Sequence, residues 1–335
     1  MWQNLITIAV TVALLAVGWV TPVLAMLDVT IAKENLASAI AQEPNSEPST
    51  EGTEPTNDAE TAEETSTPVD VADICQPSED ANETELLSEG GENISAWLSQ
   101  GEYLLTKKQY PQALIAYYRA IDLDRSNSKA WIGCGQVLQE MEQYDRAIAA
   151  LNEALKINSN SSIALLTRGL IYKQVEQHES ALADFENALA GDGNWGQFDR
   201  ADAAINLGSV LWRLDQRTEA IAAFEQATEL NDRFALAWFN LGTAFLQQAS
   251  SLLQSQDAEA AKTPLEQAIA AYDRALASEG EWGTNTGPAS AWYNRGVALE
   301  LLEKYEEAME SYDRALRITP NHNKARQRLA RLRDL

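Results

Sequence analysis

The sequence predicts an all-α fold, a solenoid of about six helix-turn-helix repeats followed by a C-terminal capping helix. Three observations predict it. The phrase "AWFNLGTAF" at 237–245 is nearly repeated as "AWYNRGVAL" at 291–299. Glycines within otherwise helical stretches recur at spacings of 34, 34, 39, 34 and 54 residues. Each glycine is followed by an alanine, a bulky apolar residue and a second alanine in the same order.

Each repeat shares these four small or bulky positions, which predict close contact between two helices. Glycine inside a helix costs about 1 kcal/mol relative to alanine, so its recurrence requires a compensating contact. We expect glycine and alanine to let two antiparallel helices approach, while the bulky side chain fills the space beside them. The six sets are Gly101, Ala113, Tyr117, Ala120; Gly135, Ala147, Leu151, Ala154; Gly169, Ala181, Phe185, Ala188; Gly208, Ala220, Phe224, Ala227; Gly242, Ala268, Tyr272, Ala275; and Gly296, Ala308, Tyr312, Ala315.

This pattern resembles the tetratricopeptide repeat, W-x2-L-G-x2-Y followed by A-x3-F and a final P. Trp97, Trp131, Trp238 and Trp292 fill the first slot and Pro320 the last. Four repeats depart from the pattern where leucine is expected, with Gln100, Cys134, Arg168 and Arg295. The resemblance covers 94–322. It implies a right-handed superhelical solenoid whose concave groove binds proteins or peptides.

The two segments that precede the repeats predict how the repeats are attached to a membrane. Residues 5–27 carry no charge and would span about 35 Å as a helix, which predicts a transmembrane anchor. Val23-Leu24-Ala25 leaves a cleaved signal segment as the alternative. Residues 28–93, acidic and rich in Pro, Ser, Thr and Glu, predict a disordered linker.

Within the predicted solenoid, the first three repeats occupy 94–195 and the next three 201–322, with an insertion in the fifth. A basic capping helix is predicted at 323–335, with Ala325, Leu329 and Leu332 on its apolar face.

The charge of the chain narrows the classes of partner, whereas its two cysteines do not indicate a compartment. The net charge is -25, and residues 1–93 contain 18 acidic residues against one basic residue, so a nucleic-acid partner is not expected. The uncharged stretch 5–27 predicts a single-pass membrane protein, and the acidic stretch that follows it favours repeats on the exported side; a secreted, periplasmic or lumenal protein is the alternative. Cys75 falls in the predicted disordered linker and Cys134 at a core position, so the cysteines do not indicate a compartment.

Candidate binding residues come from the resemblance, which places the groove on the first helix of each pair. With the glycine counted as the eighth position of a repeat, the sixth position reads Asn206, Asn240 and Asn294 in the last three repeats. Those amides can hydrogen-bond an extended peptide backbone. Phe239 and Tyr293 at the fifth position add apolar contacts. Structural or inherited roles for the asparagines remain open.

Two tryptophans in the linkers are further candidate contact residues. The sequence shows no cluster of residues typical of a catalytic or metal site. Trp195 and Trp282 lie in the linkers "GNWG" and "GEWG"; they either fill gaps left by longer turns or act as exposed anchors for a partner. No catalytic residues, metal site, cofactor or small-molecule substrate are expected. The sequence therefore predicts a non-enzymatic, membrane-tethered interaction scaffold, and resemblance to anchored repeat proteins suggests an assembly factor for a membrane complex. An exported, signal-cleaved soluble binding protein is the alternative.

Overall fold

The computed structural model of the protein describes residues 73–77, 91–278, 282 and 287–334. Within these residues the secondary structure consists of thirteen α-helices and no strand, which confirms the all-α class. The predicted anchor at 5–27 and most of the predicted linker lie outside the described residues. The helices are α1 Ile94–Thr106, α2 Tyr110–Leu123, α3 Ser128–Glu140, α4 Tyr144–Ile157, α5 Ser162–Gln174, α6 His178–Leu189, α7 Arg200–Arg213, α8 Arg217–Leu230, α9 Ala235–Gln254, α10 Ala258–Ala277, α11 Gly287–Leu301, α12 Tyr305–Ile318 and α13 Asn323–Arg333.

The described residues divide into two compact units, with the boundary between Asp232 and Arg233. The first unit holds the helix pairs α1–α2, α3–α4, α5–α6 and α7–α8. The second holds α9–α10, α11–α12 and the single helix α13. Each pair packs along its length, as the predicted helix-turn-helix repeat requires.

The turn inside every described pair has the same backbone conformation. Two residues before each second helix, one residue adopts a left-handed conformation with φ between 58° and 64°. A left-handed residue after the first helix ends it and reverses the chain, although a non-glycine residue is disfavoured there. The six residues are Lys108, Glu142, Glu176, Asp215, Gln256 and Glu303.

The predicted contact between the two helices of a pair is confirmed at all six glycines. A Cβ atom built on Gly208 would lie 2.6 Å from Cε1 of Phe224, and one on Gly169 would lie 2.7 Å from Cε1 of Phe185. The other four glycines face Tyr117, Leu151, Tyr272 and Tyr312 at similarly short distances. Since a methyl group does not fit in these gaps, glycine is what allows the bulky side chain to sit between the helices.

The insertion predicted in the fifth repeat lengthens both of its helices. Helices α9 and α10 contain 20 residues each, whereas the helices of the other pairs contain 12 to 15. Pro264 lies inside α10 and is buried.

The capping helix α13 buries Ala325, Leu329 and Leu332, the predicted apolar face. It is bound by charge as well as by apolar contact. The carboxylate of Glu300 on α11 is buried and forms ion pairs with both Arg328 and Arg331 of α13. The cap is therefore clamped to the preceding pair by ion pairs in addition to its apolar face.

Cys75 does not lie in an unfolded stretch, contrary to the sequence prediction. It forms a disulfide with Cys134 of α3, with a Cα–Cα distance of 6.0 Å. Ile74 and Cys75 are 3% and 2% exposed and belong to the core of the first unit. The prediction failed because composition averages over a long acidic stretch and hides a short apolar one, here the Val69, Val71 and Ile74 that precede Cys75.

Candidate partner-binding surface

Two of the three predicted asparagines present unoccupied amides. Asn240 and Asn294 occupy the same position of their repeats, on the first helices α9 and α11 of the second unit, and these two helices contact each other. Both side chains are half-buried. Within the described residues neither amide makes a hydrogen bond. Each retains donors and an acceptor for a ligand, and together they mark one side of neighbouring first helices.

Asn206 is different because its amide is already bonded within the first unit. Its Nδ2 donates to the Asp202 carbonyl of its own helix at 2.8 Å, and its Oδ1 accepts from Lys173 Nζ at 2.8 Å. Burial, followed by repulsion from Arg213, lowers the pKa of Lys173. The contact with Asn206 gives the partly buried ammonium an acceptor. The predicted row of three equivalent amides is thus divided into one structural and two available groups.

Phe239 precedes Asn240 and forms an aromatic cluster with two other rings. Its centroid lies 6.0 Å from Tyr272 and 6.3 Å from Trp282, the latter in an edge-to-face arrangement. Phe239 is half-buried, whereas Tyr272 is fully buried and contacts Thr243 through its hydroxyl. Phe239 therefore directly precedes Asn240, the residue with the unbonded amide. Its ring is held in place by Tyr272 and Trp282, and part of it remains exposed.

Tyr293 contributes little accessible surface, since it is only 8% exposed. Its ring lies 5.9 Å from Tyr312 and 4.7 Å from His322, and its hydroxyl accepts a 3.2 Å hydrogen bond from Arg328 Nε of the capping helix. The capping contacts thus cover the ring that the sequence assigned to the groove. The repeat pattern could not show this contact with Arg328, because Arg328 belongs to the capping helix and not to the repeat.

The two linker tryptophans are both half-buried. Trp282 packs beside Phe239 and against Gly287 at the start of α11, where an added Cβ would lie 2.7 Å from Trp282 Cδ2. Trp195 lies in a turn in which its carbonyl accepts from the Phe198 amide at 3.0 Å. Partial burial is compatible with gap filling, while the exposed portion of each ring leaves the anchor interpretation as a prediction.

The turn before Trp195 is organised by Asp192. Its Oδ1 accepts from the backbone amides of Ser162 at 3.1 Å and Asn194 at 3.0 Å, and its Oδ2 accepts from Asn158 Nδ2 at 2.9 Å. Burial raises the pKa of Asp192, but the hydrogen bonds outweigh it and lower the pKa below its ordinary value. This carboxylate joins the end of the third pair to the beginning of α5.

In the part of the chain that the structure describes, no three His, Cys, Asp or Glu side chains are grouped as metal ligands would be. No helix in that part is both long enough and apolar enough to span a bilayer.

Paired antiparallel helices, glycine contacts and an amide-bearing first helix define the chain as a helical-repeat protein. The family model of the tetratricopeptide repeat matches residues 104–168, 205–263 and 289–322. These three stretches are therefore tetratricopeptide repeats, and the resemblance seen in the sequence is confirmed within them. No curated protein sequence matches the chain.

Solved structures share this fold. The structure of Pseudomonas aeruginosa pilF is 18% identical, with a TM-score of 0.55 over 71% of this chain and 97% of that chain. A chain of the APC/C hetero-tetramer Cut9-Hcn1 is 21% identical, with a TM-score of 0.51 over 74% of this chain and 44% of that chain. YrrB, described as a TPR protein with an unusual peptide-binding site, is 26% identical over 63% of this chain and 96% of that chain, with a TM-score of 0.49. The first two likenesses concern the fold alone, and the third carries no argument about this chain.

Proposed function

We propose that this protein is a membrane-tethered, non-enzymatic interaction scaffold that binds an extended segment of a partner protein along the first helices of α9–α10 and α11–α12. The two unbonded amides of Asn240 and Asn294 are the observation that carries the proposal. An amide that is held on a helix and lacks an internal partner can form two complementary hydrogen bonds with a peptide group.

The neighbouring ring of Phe239 supports the choice of ligand. A peptide held only by two amides would bind weakly, because each net hydrogen bond contributes about 1 kcal/mol. An apolar partner side chain beside Phe239 adds buried area, and the ring is fixed by Tyr272 and Trp282 so little ordering is required on binding. The partner segment is therefore expected to combine an extended backbone with apolar side chains.

Site-specific photo-crosslinking in native membranes tests the surface. A photoreactive residue placed at Asn240 or Asn294 of the full chain should yield a covalent adduct with the same partner. A matched probe at Gln267, which is exposed on the second helix α10, should yield none of that partner. Equal adducts from Gln267 and Asn240 would contradict the assigned surface.

Substitution then measures the contribution of the amides to the crosslinked partner once it is identified. Asn240→Ala combined with Asn294→Ala should weaken capture about 30-fold, since two net hydrogen bonds of about 1 kcal/mol each are lost. Helicity and melting should remain unchanged because neither amide has a bond within the described residues. Gln267→Ala removes an exposed amide from the same unit and should leave capture intact.

The tether rests on the uncharged stretch 5–27 and is tested separately. Alkaline extraction should leave the full-length protein with the membrane pellet, and N-terminal sequencing should show an uncleaved chain. A mature chain beginning at Met26 in the soluble fraction would instead establish the exported, signal-cleaved form. An assembly role for the captured partner would appear as loss of that partner's complex when the double variant replaces the wild type.

A further inference from the structure

Residues 73–77 form a short segment that is attached to the second helix pair by two independent kinds of contact. The first is the disulfide between Cys75 and Cys134. Cys134 is fully buried on α3 and Ile74 is buried beside the disulfide, so the segment is part of the core. The bond joins residues 59 positions apart in the sequence.

The second contact is a set of hydrogen bonds from Arg146 at the start of α4. Its Nε donates to the Ile74 carbonyl at 3.0 Å, and its Nη2 donates to the Gln76 carbonyl at 2.7 Å and more weakly to the Asp73 carbonyl at 3.4 Å. Gln143 in the same turn accepts from Arg146 Nη1 and orients the guanidinium. One guanidinium thus binds three backbone carbonyls of the same short segment, and its charge strengthens these hydrogen bonds.

We infer that residues 73–77 are a structural strap, locked by an intrachain disulfide onto a docking surface made by Cys134 and Arg146, and that the repeats therefore mature and act in an oxidising compartment. Disulfides of this buried kind persist in exported proteins and are rare where thiols are kept reduced. The strap goes beyond partner capture and does not depend on it, since the two asparagines lie in the other unit.

The chemistry of the bond requires an external oxidant. Each thiol loses one proton and one electron as the new S–S bond forms between Cys75 and Cys134. The two electrons and two protons pass to the disulfide of an enzyme of the thiol–disulfide exchange class, which is released as a dithiol. Such oxidants work on exported chains, which is consistent with repeats on the exported side of the membrane.

The orientation of the Arg146 contact also explains how the correct pairing is favoured. By holding the carbonyls on both sides of Cys75, Arg146 presents the thiol to Cys134 before oxidation. Because the chain contains two cysteines in total, the intramolecular bond competes only with bonds to other molecules. Pre-positioning raises the effective concentration of one thiol at the other and favours the internal bond.

Thiol labelling in cells tests the inference on the full chain. Cells are quenched in acid, free thiols are blocked under denaturing conditions, disulfides are then reduced, and newly exposed thiols are labelled with a maleimide-linked polymer. We expect a monomer that gains two labels only after reduction. A chain that gains no label after reduction, because both thiols were free and had been blocked, or a disulfide-linked dimer on a non-reducing gel, would overturn the inference.

Purified protein provides the second measurement. Reduction should lower the melting temperature of the wild type by on the order of 5–10 °C, because the closed loop no longer restrains the unfolded chain. Cys75→Ser should melt at that lower temperature and be insensitive to the reductant. A wild-type melting temperature that reduction leaves unchanged would show that the strap contributes nothing, even if partner capture through Asn240 and Asn294 were intact.

Arg146→Gln tests the second contact separately. It should slow disulfide formation during refolding several-fold with a glutathione redox buffer. The matched control is Lys129→Gln, which removes an exposed cation from α3 and should refold at the wild-type rate. Equal rates for both variants would exclude the proposed pre-positioning.

Discussion

Arg168 on α5 and Asp184 on α6 form a two-point ion pair, with 2.7 Å between Nε and Oδ2 and 2.6 Å between Nη2 and Oδ1. Asp184 is buried, while Arg168 is only partly exposed. The remaining guanidinium nitrogen, Nη1, donates to Asn152 on α4. A single side chain thereby connects three consecutive helices, and the hydrogen bond to Asp184 raises the pKa of Arg168.

Asp184→Ala should destabilise the first unit by about 2–3 kcal/mol, because it leaves the guanidinium half-buried without its carboxylate. The value lies below that of a fully buried pair since solvent still reaches Arg168. Urea unfolding followed by circular dichroism measures the change. Asp145→Ala, which removes an exposed carboxylate from α4, should change stability by less than about 0.5 kcal/mol.

A double variant separates the net contribution of the ion pair to stability from the cost of leaving one of its charges unpaired. Arg168→Leu introduces the residue that the repeat pattern expects at this position. Combined with Asp184→Ala, it should recover most of the stability lost in Asp184→Ala, because apolar packing replaces an uncompensated charge. A double variant less stable than Asp184→Ala would show that Arg168 contributes through contacts other than the pair.

The same relationship recurs at Arg295, another departure from the leucine of the repeat. Arg295 Nε donates to Asp273 of α10 at 2.6 Å and Nη1 donates to Ser311 of α12 at 2.8 Å. Cys134, a third departure, forms the disulfide. The sequence could identify these positions as exceptions to a pattern. It could not supply their partners, which lie 16 or more residues away in the chain and are not part of the repeat pattern.

Gly208→Leu tests the contact that the repeat period predicts most directly. Leucine would require room where even a Cβ atom lies 2.6 Å from the Phe224 ring, so α7 and α8 must separate. We expect a loss of about 3 kcal/mol or more and a broader unfolding transition. Calorimetry of the wild type and variant measures both quantities.

The control for this prediction places the same side chain on the same pair without the close contact. Ala222→Leu lies on the exposed side of α8 and should change stability by less than about 0.5 kcal/mol. A Gly208→Leu variant that melts like Ala222→Leu would contradict the close helix contact.

Acidification should weaken the turn that contains Asp192. The hydrogen bonds from backbone and amide donors give Asp192 a folded-state pKa below the unfolded value of about 3.9. Its stabilising contribution is therefore present above that unfolded value and is lost as the pH falls through the folded pKa. Because Asp192 is exposed, the loss should be only about 0.5 kcal/mol.

Asp192→Asn isolates this contribution because the amide oxygen can still accept from Ser162 and Asn194. Urea midpoints of the wild type and Asp192→Asn, measured between pH 5 and pH 2.5, should converge as the pH falls. A constant difference across this range would assign the pH dependence to other carboxylates.

Periodicity predicted the helices and their internal contacts well because the same four positions recur in each pair. The candidate surface was less predictable. Asn206 and Asn240 occupy equivalent positions, yet one amide is bonded to Lys173 and the other is unbonded. Equivalent repeat positions have different neighbours, and it is the neighbours that decide whether a side chain is available to a ligand.

Glu300→Gln should release the capping helix, since the buried carboxylate compensates two arginines. Arg328 Nη1 lies 3.3 Å from Glu300 Oε2, Arg331 binds the other oxygen, and the Tyr312 hydroxyl donates to Oε2 at 2.6 Å. Burial, followed by repulsion from the carboxylate, raises the pKa of Tyr312 well above its ordinary value, so the hydroxyl remains a donor. The amide keeps the shape of the side chain but leaves Arg328 buried without a counter-charge, which should cost about 3 kcal/mol.

Hydrogen exchange measured by mass spectrometry resolves where that loss occurs. The amides of α13 should exchange at least tenfold faster in Glu300→Gln, while those of α9 should be unaffected, because each repeat interface contributes separately to stability. Glu306→Gln changes an exposed carboxylate at the start of α12 and should leave α13 protected. Unaltered protection of α13 in Glu300→Gln would mean that the apolar face formed by Ala325, Leu329 and Leu332 is sufficient to hold the cap without the ion pairs.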